Sequence, residues 1–270
     1  MTGERLSAPK VTFTAPFAID KTRVEVLKAG TGAKASADGY VTVHYYGVNA
    51  RTGTVFDESY TDKATATFPL GQVIAGFKIG LTGQSEGSRV LIAMPGSDGY
   101  DAAGGTSDGS IAVGDTLIFV VDIVAVSLTQ PSGKVVAAPS GGPTVTGSAA
   151  DKPVVTIPSS TAPSAMRVAT LIEGTGAAVA KGDVIRARYV GYSWKTGKLI
   201  DDQFATASDG ELSSTIPGWQ SGLVGKKVGS RVLLVLPPES GYPKGSNNPP
   251  IEAGDTIVYV VDLLFAYSAG

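Results

Sequence analysis

Short apolar runs separated by glycine-rich turns dominate the hydrophobic pattern of this chain. Residues 41–46, 89–94 and 116–126 are built from β-branched, aliphatic and aromatic side chains. Runs of this length and composition predict strands, and the turns between them favour an antiparallel sheet with one well-covered face. Similar runs return in the second half of the chain, at 184–192, 230–236 and 256–266.

A helical spacing interrupts the strands once in each half. Within residues 73–81, Ile74, Phe77 and Leu81 are spaced i, i+3 and i+7, which places them on one helical face. The same spacing recurs in the second half at Ile216, Trp219 and Leu223, and Pro217 suits a first helical turn. One short helix with a multi-strand antiparallel sheet predicts the α+β class for each half.

The two halves are copies of each other. Residues 23–122 recur at 167–262, with an offset that falls from 144 to 142 and then 140. A period this long indicates a duplicated domain and not a solenoid repeat. We therefore predict a domain at 9–130, a Pro/Gly/Ser-rich linker at 131–150 and a second domain at 151–268. The similar segments 9–14 and 153–158 are expected to be extra edge segments leading into the two domains.

Composition excludes several classes of function. The net charge is −2 with 17% charged residues, so no basic surface for nucleic acid is predicted, and no run of about 20 apolar residues predicts a membrane span. The chain has no cysteine and a single histidine, His44, which rules out thiolate chemistry and a histidine metal cluster. We predict neither a metal nor a cofactor. The abundance of Gly, Ser, Thr and Ala favours an extracytoplasmic protein, secreted or lipid-anchored at the cell surface with its signal outside this sequence; a cytoplasmic location stays open.

The order of motifs resembles the FKBP-type peptidyl-prolyl isomerases, in a tandem, actinobacterial-like form. The motifs of the first half are VHYYG at 43–47, VFD at 55–57, FPLGQVIAGF at 68–77, Gly99-Tyr100 and Gly114-Asp115-Thr116. The resemblance covers about residues 22–127 and 166–267. It implies two FKBP-like domains, each a twisted antiparallel β-sheet wrapped around one short α-helix.

The resemblance also implies a prolyl pocket in each half. In the first half, the positions that it assigns to catalysis are Tyr45, Phe56, Asp57 and Tyr100, and those assigned to substrate binding are Val73, Ile74, Phe77, Ile111 and Phe119. In the second half, the corresponding catalytic positions are Asp201 and Tyr242, and the binding positions are Tyr189, Ile200, Ile216, Trp219, Ile251 and Tyr259.

The two pockets depart from the family pattern in different ways. The family usually has Trp at the floor position, where the first half has Phe77 and the second half has Trp219. In the second half Ile200 and Tyr259 replace aromatic residues that the family and the first half share. The first pocket is therefore the safer prediction for activity, and the second is expected to be more polar.

These residue types suit isomerisation of an X–Pro bond. The reaction breaks no bond, but amide resonance imposes a barrier of about 18–20 kcal/mol. The twisted amide has less charge separation than the planar one, so a dry aromatic slot favours the transition state. We expect a peptidyl-prolyl cis-trans isomerase that assists folding of proline-containing clients, with macrolides as further ligands of the family.

Three alternatives stay open at this stage. One or both pockets hold proline segments as a chaperone or scaffold with weak turnover. In another arrangement, one pocket is filled by linker prolines. Finally, Asp57 and Asp201 act as ordinary turn-capping residues. The prolines available for the second arrangement are Pro139, Pro143, Pro153, Pro158 and Pro163.

Overall fold

The computed structural model describes residues 3–268 and divides the chain into two compact units after Ser127. We call residues 1–127 unit 1 and residues 128–270 unit 2. Each unit consists of antiparallel strands with one short α-helix, which confirms the predicted α+β class. No helix within residues 3–268 is long and apolar enough to cross a membrane.

Unit 1 has six strands and one α-helix. The sheet order is β1–β5–β6–β2–β3, and β4 also pairs with β2. Its elements are β1 (Arg23–Lys28), β2 (Tyr40–Asn49), β3 (Val55–Glu58), β4 (Ala66–Pro69), α1 (Ala75–Leu81), β5 (Arg89–Met94) and β6 (Leu117–Val126).

The helix of unit 1 lies very close to the sheet because it presents two glycines to it. A Cβ on Gly76 would lie 2.5 Å from the Met94 Sδ, and one on Gly80 would lie 2.4 Å from the Ile92 Cδ1. Any larger residue would push the helix away from β5. Phe77 and Leu81 project from the same helix into the buried core, as their spacing predicts.

Unit 2 repeats this plan with additional strands. Its main sheet has the order β12–β11–β16–β13–β10–β7, and two small hairpins pair β8 with β9 and β14 with β15. The elements are β7 (Gly133–Val135), β8 (Thr144–Thr146), β9 (Val154–Thr156), β10 (Arg167–Gly174), β11 (Asp183–Ser193), β12 (Leu199–Glu211), α2 (Pro217–Leu223), β13 (Arg231–Leu236), β14 (Ser246–Asn247), β15 (Pro250–Ile251) and β16 (Ile257–Ser268).

The segment 131–150 differs from the predicted linker. Residues 133–135 form β7, which pairs with β10 at the edge of the main sheet, and residues 144–146 form β8, which pairs with β9. Composition did not indicate these strands because backbone hydrogen bonds do not require apolar side chains. Residues 131–150 therefore belong structurally to unit 2, while the outer domain limits 9 and 268 stay predictions. The edge-segment expectation for 153–158 is also corrected, since β9 pairs only with β8.

A buried Arg–Asp pair ties a preceding segment to each sheet. In unit 1 the Arg89 guanidinium donates to both carboxylate oxygens of Asp122, at 2.8 and 2.7 Å, and also to the carbonyls of Gly3 and Ser7. In unit 2 the Arg231 guanidinium donates to Asp262 at 2.6 and 2.9 Å, and to the carbonyls of three residues of the preceding segment: Ser148, Ala149 and Asp151. We call residues 3–22 and 146–166 the straps of the two units.

Removing the carboxylate from one such pair should destabilise its unit strongly. Asp262→Ala leaves the buried Arg231 charge without its partner, which costs about 3–5 kcal/mol. Both tryptophans, Trp194 and Trp219, lie in unit 2, so urea unfolding followed by tryptophan fluorescence reports on this unit. We expect a large decrease in the denaturation midpoint.

The matched control is Glu252→Ala, in the same unit. Glu252 pairs with Lys195, but both side chains are mostly exposed and screened by water, so the denaturation midpoint should hardly change. Equal shifts for the two variants would contradict a structural role for the buried pair.

Candidate active site

Unit 1 contains an apolar cavity of about 220 Å³ on the helix side of the sheet. β2, β3, β4, β6, the start of α1 and the turn after β5 each contribute to its walls. The lining residues are Tyr45, Phe56, Asp57, Phe68, Val73, Ile74, Phe77, Tyr100 and Phe119. Eight of these nine positions were predicted from the sequence, and the structure brings all eight together.

Aromatic rings form the floor and walls of this cavity. Phe77 and Phe119 meet edge to face with ring centroids 4.7 Å apart, and Phe56 meets Phe119 in the same way at 5.4 Å. Edge-to-face contacts place the positive ring edge against the negative face of the neighbour and hold the rings in fixed orientations. Gly47 makes room for them, because a Cβ there would lie 2.7 Å from the Phe56 Cζ and 2.9 Å from the Phe119 Cε1.

A tyrosine and an aspartate form the polar rim. The Tyr45 hydroxyl donates a 2.7 Å hydrogen bond to the Asp57 Oδ2. Burial, and then the bond to Asp57, raises the pKa of Tyr45 above its usual value. Burial and the Asp57 charge also raise the pKa of Tyr100. Both tyrosines therefore stay protonated at neutral pH and keep a proton to donate.

The cavity lining differs from the predicted set at two positions, Ile111 and Phe68. Ile111, predicted to bind substrate, is 3% exposed and belongs to the hydrophobic core; it is not one of the residues lining the cavity. Phe68 was not predicted, although it lies in the quoted motif 68–77. Pairing of β4 with β2 brings Phe68 opposite Val41, and its ring meets Phe77 edge to face at 6.3 Å. Recognising this would have required the register of β4.

In unit 2, three aromatic residues close around the equivalent place. Trp219 meets Tyr189 edge to face at 4.8 Å and Tyr259 at 5.5 Å. The predicted residues Ile200, Ile216 and Tyr242 pack around these rings. Ile251, like its counterpart in unit 1, is a core residue with 6% exposure.

The aspartate of unit 2 has a different partner. The Tyr259 hydroxyl donates a 3.2 Å hydrogen bond to the Asp201 Oδ2, whereas the corresponding bond in unit 1 comes from Tyr45, the counterpart of Tyr189. Tyr259 is only 2% exposed, so this hydroxyl reaches Asp201 from inside the core. Burial raises the pKa of Asp201. It also raises the pKa of Tyr189, to about 12, with smaller contributions from Asp201 and Tyr242.

The indole of Trp219 has an unsatisfied hydrogen-bond donor. Its Nε1 is buried and has no partner among residues 3–268. Buried polar atoms are nearly always paired, so this indole N–H is a candidate donor for an acceptor that reaches the ring. Phe77, at the same position in unit 1, has no such donor.

Comparison with known proteins identifies the class. A family model described as FKBP-type peptidyl-prolyl cis-trans isomerase matches residues 32–124 and 176–264, which is more than half of the chain. The chain therefore belongs to this family and is a peptidyl-prolyl cis-trans isomerase. The family and enzyme class predicted from the motif order are confirmed.

Three similar proteins each match a stretch of domain size in this chain. A probable FK506-binding protein of Corynebacterium glutamicum is 36% identical over 119 residues, covering 43% of this chain and 99% of that protein. An FK506-binding protein of Streptomyces anulatus is 42% identical over 99 residues, covering 36% of this chain and 79% of that protein. The solved structure of FkpA from Escherichia coli is 30% identical with a TM-score of 0.36, covering 39% of this chain and 47% of that chain.

The raised pKa of Asp201 makes a testable prediction about stability. Between the ordinary Asp value of about 3.9 and the higher folded value, the folded state binds more protons than the unfolded state. Stability therefore falls as pH rises through this window. Asp201→Asn removes this effect and keeps an acceptor for Tyr259, so the variant should unfold at a higher temperature than the wild type at pH 7. The difference should vanish below about pH 3.9.

The neighbouring Asp202 provides a control of opposite sign. Its hydrogen bond to Lys152 lowers the pKa of Asp202, so its ionised form stabilises unit 2 at neutral pH. Asp202→Asn should lower the thermal midpoint at pH 7, and the loss should fade as pH falls through the folded pKa. An Asp201→Asn variant that follows the Asp202→Asn curve would contradict the assignment.

Proposed function

We propose that the two pockets divide the work of this isomerase, with the unit 1 pocket as the main catalytic site. The observation that carries this proposal is the apolar cavity of about 220 Å³ with the Tyr45–Asp57 bond at its rim. Such a cavity offers a twisted X–Pro amide a dry surround, and favours it over the solvated planar form.

Named side chains of unit 1 have distinct roles in this proposal. The rings of Phe56, Phe77 and Phe119 hold the proline and exclude water. The Tyr100 hydroxyl anchors a substrate carbonyl, and the Ile74 backbone N–H offers a second anchor. Asp57 acts on the rotating carbonyl by its charge and does not act as a general base, since no proton is transferred.

The unit 2 pocket is proposed to hold proline-containing segments with weaker turnover. Each aspartate accepts one tyrosine hydrogen bond, but the donor to Asp57 is Tyr45 at the rim, whereas the donor to Asp201 is Tyr259, which is 2% exposed. The Asp201 carboxylate is therefore directed at the core and is less available to a substrate. Ile200 also replaces one ring of the wall. The unpartnered Trp219 Nε1 supports binding of a segment that brings a carbonyl to the floor.

Paired substitutions in the full chain separate the two sites. In an assay of proline isomerisation in a short peptide, Asp57→Val should lower kcat/KM about tenfold or more, whereas Asp201→Val should leave most of it. Both changes remove a rim carboxylate, so each is the matched control of the other. Equal activity of wild type and Asp57→Val would contradict the catalytic role of unit 1.

Relieving the Tyr259–Asp201 bond should increase turnover in unit 2. In the Asp57→Val background, adding Tyr259→Phe together with Ile200→Phe restores the aromatic wall and frees the Asp201 carboxylate. We expect the residual activity to rise severalfold. Tyr192→Phe, which also removes a tyrosine hydroxyl but lies outside the pocket, serves as the control. No gain in the variant that carries Tyr259→Phe and Ile200→Phe would contradict the role given to Tyr259.

The ligands and location of the protein are part of the proposal. The related actinobacterial proteins are named for binding FK506. FK506 should therefore inhibit the peptide assay by occupying the unit 1 cavity, and Asp57→Val should leave little activity for it to inhibit.

We further propose that the protein works outside the cytoplasm on folding clients, which the composition supports; fractionation of its host cells tests this location.

A further inference from the structure

The outer face of the sheet, opposite the helix, is covered differently in the two units. In unit 2 the segment 131–143 first forms β7 and adds to the free edge of β10. Gly133 lies opposite Gly174, Val135 lies opposite Ile172, and the Val136 N–H donates to the Leu171 carbonyl at 2.9 Å. β10 is therefore not an edge strand.

After β7 the same segment crosses the outer face of unit 2. Pro139 and Pro143, with Ser140 and Gly142 between them, lie beside the outer-face residues and leave a cavity of only about 50 Å³. Beneath and beside this segment the sheet residues are shielded from water. Their exposed fractions are 8% for Leu171, 5% for Leu233 and 2% for Val235.

In unit 1 no described residue occupies this position. β1, the counterpart of β10, is an edge strand, and five of its six residues are exposed. Beside it lies a cavity of about 630 Å³, which we call the outer groove. Its apolar lining comes from the strap residues Val11, Phe13 and Phe17 and from the sheet residues Leu27, Leu91, Ala93 and Ile118.

We propose that the outer groove of unit 1 is a second polypeptide-binding site, separate from the isomerase pocket. Its occupant is an extended client segment that contains prolines and glycines and few charges, as residues 131–143 do in unit 2. The segment adds a strand to the edge of β1 through backbone hydrogen bonds and then lies over Leu91 and Ala93. Unit 2 shows that this surface of the fold accepts such a segment.

The source of the segment is a client and not a second copy of this chain. Residues 131–143 are covalently joined to unit 2, which gives them an effective concentration in the millimolar range at their own site. A second copy would have to release them before it could donate them. The choice of a client rests on the proposed role in assisting folding.

The outer groove lies on the opposite face of the same strand that walls the isomerase pocket, which suits a site that assists folding. Ile118 lines the groove and its neighbour Phe119 lines the isomerase pocket, because successive residues of β6 point to opposite faces of the sheet. A client held at the outer groove therefore presents its nearby prolines to the pocket at a raised local concentration.

The test uses the full chain and a labelled peptide with the sequence of residues 131–144, PSGKVVAAPSGGPT. Fluorescence anisotropy should show saturable binding.

Leu91→Lys places a charge in the groove and should weaken binding at least tenfold. Glu25→Ala removes a carboxylate at the position of Ala169 in unit 2 and should tighten it severalfold. Val113→Lys, an equally drastic change at an exposed site outside the groove, should have no effect.

The peptide itself supplies a further control. A Cβ on Gly133 would lie 1.9 Å from the Glu173 carbonyl oxygen in unit 2, so the peptide with Gly133→Val should not bind. Thermal unfolding and isomerase activity of Leu91→Lys, which should both resemble the wild type, show that the variant is folded. Absence of binding, or equal binding by Leu91→Lys, would overturn the site.

Further measurements distinguish the outer groove from the isomerase pocket as the place of binding. They also distinguish a client from a second copy of this chain as the occupant. Asp57→Val should lose isomerase activity but bind the peptide as the wild type does; loss of both would place the peptide in the pocket and overturn the proposal. Reduced, carboxymethylated α-lactalbumin, an unfolded client, should displace the peptide, and failure to do so would overturn the client assignment. Dimers that the peptide dissociates in light scattering would instead identify a second copy as the occupant.

Discussion

The sheet of each unit has two apolar faces, and a seven-residue helix covers only part of one of them. This constraint determines where the functional surfaces lie. α1 approaches β5 closely through Gly76 and Gly80, so the strands beyond it stay uncovered on the inner face. That uncovered area, walled by β2, β3, β4 and β6, is the cavity that we propose as the prolyl pocket. The outer face needs a separate cover, which the straps supply.

The straps are held by charge as well as by apolar contact. A guanidinium such as that of Arg89 has five donors, and Asp122 takes two of them. The remaining donors bind carbonyls of the strap, so one buried pair both satisfies itself and fastens a segment that has little secondary structure of its own. Unit 2 repeats this arrangement with Arg231 and Asp262. Both units therefore hold a strap against the sheet in the same way, and they differ in residues 131–143, which cover further outer-face residues in unit 2.

Much of the fold and of the first pocket could be predicted because the two copies constrain each other. Strand runs and the helical spacing predicted the elements, and the resemblance of the motif order to the FKBP family implied eight of the nine cavity residues. The sequence could not separate Ile111, which is buried beneath the cavity, from residues that line it, since both positions are apolar. It also missed β7, whose pairing depends on backbone groups and on the close approach that Gly133 allows. The sequence also could not show that Asp201 bonds to Tyr259 while Asp57 bonds to Tyr45, because this depends on the positions of the side chains in the folded units.

The proposed pocket floors of the two units, Phe77 and Trp219, differ in the interactions that they offer a ligand. Phe77 offers only shape and apolar area. Any ring that fills the unit 1 cavity and excludes water therefore contributes favourable binding free energy there. Trp219 brings a buried donor without a partner, and leaving such a donor unpaired costs about 1–3 kcal/mol. An occupant with a well-placed carbonyl recovers this free energy and one without it does not. In the proposed division of work, the change of one ring at the same helical position therefore shifts selectivity from shape in unit 1 towards hydrogen bonding in unit 2.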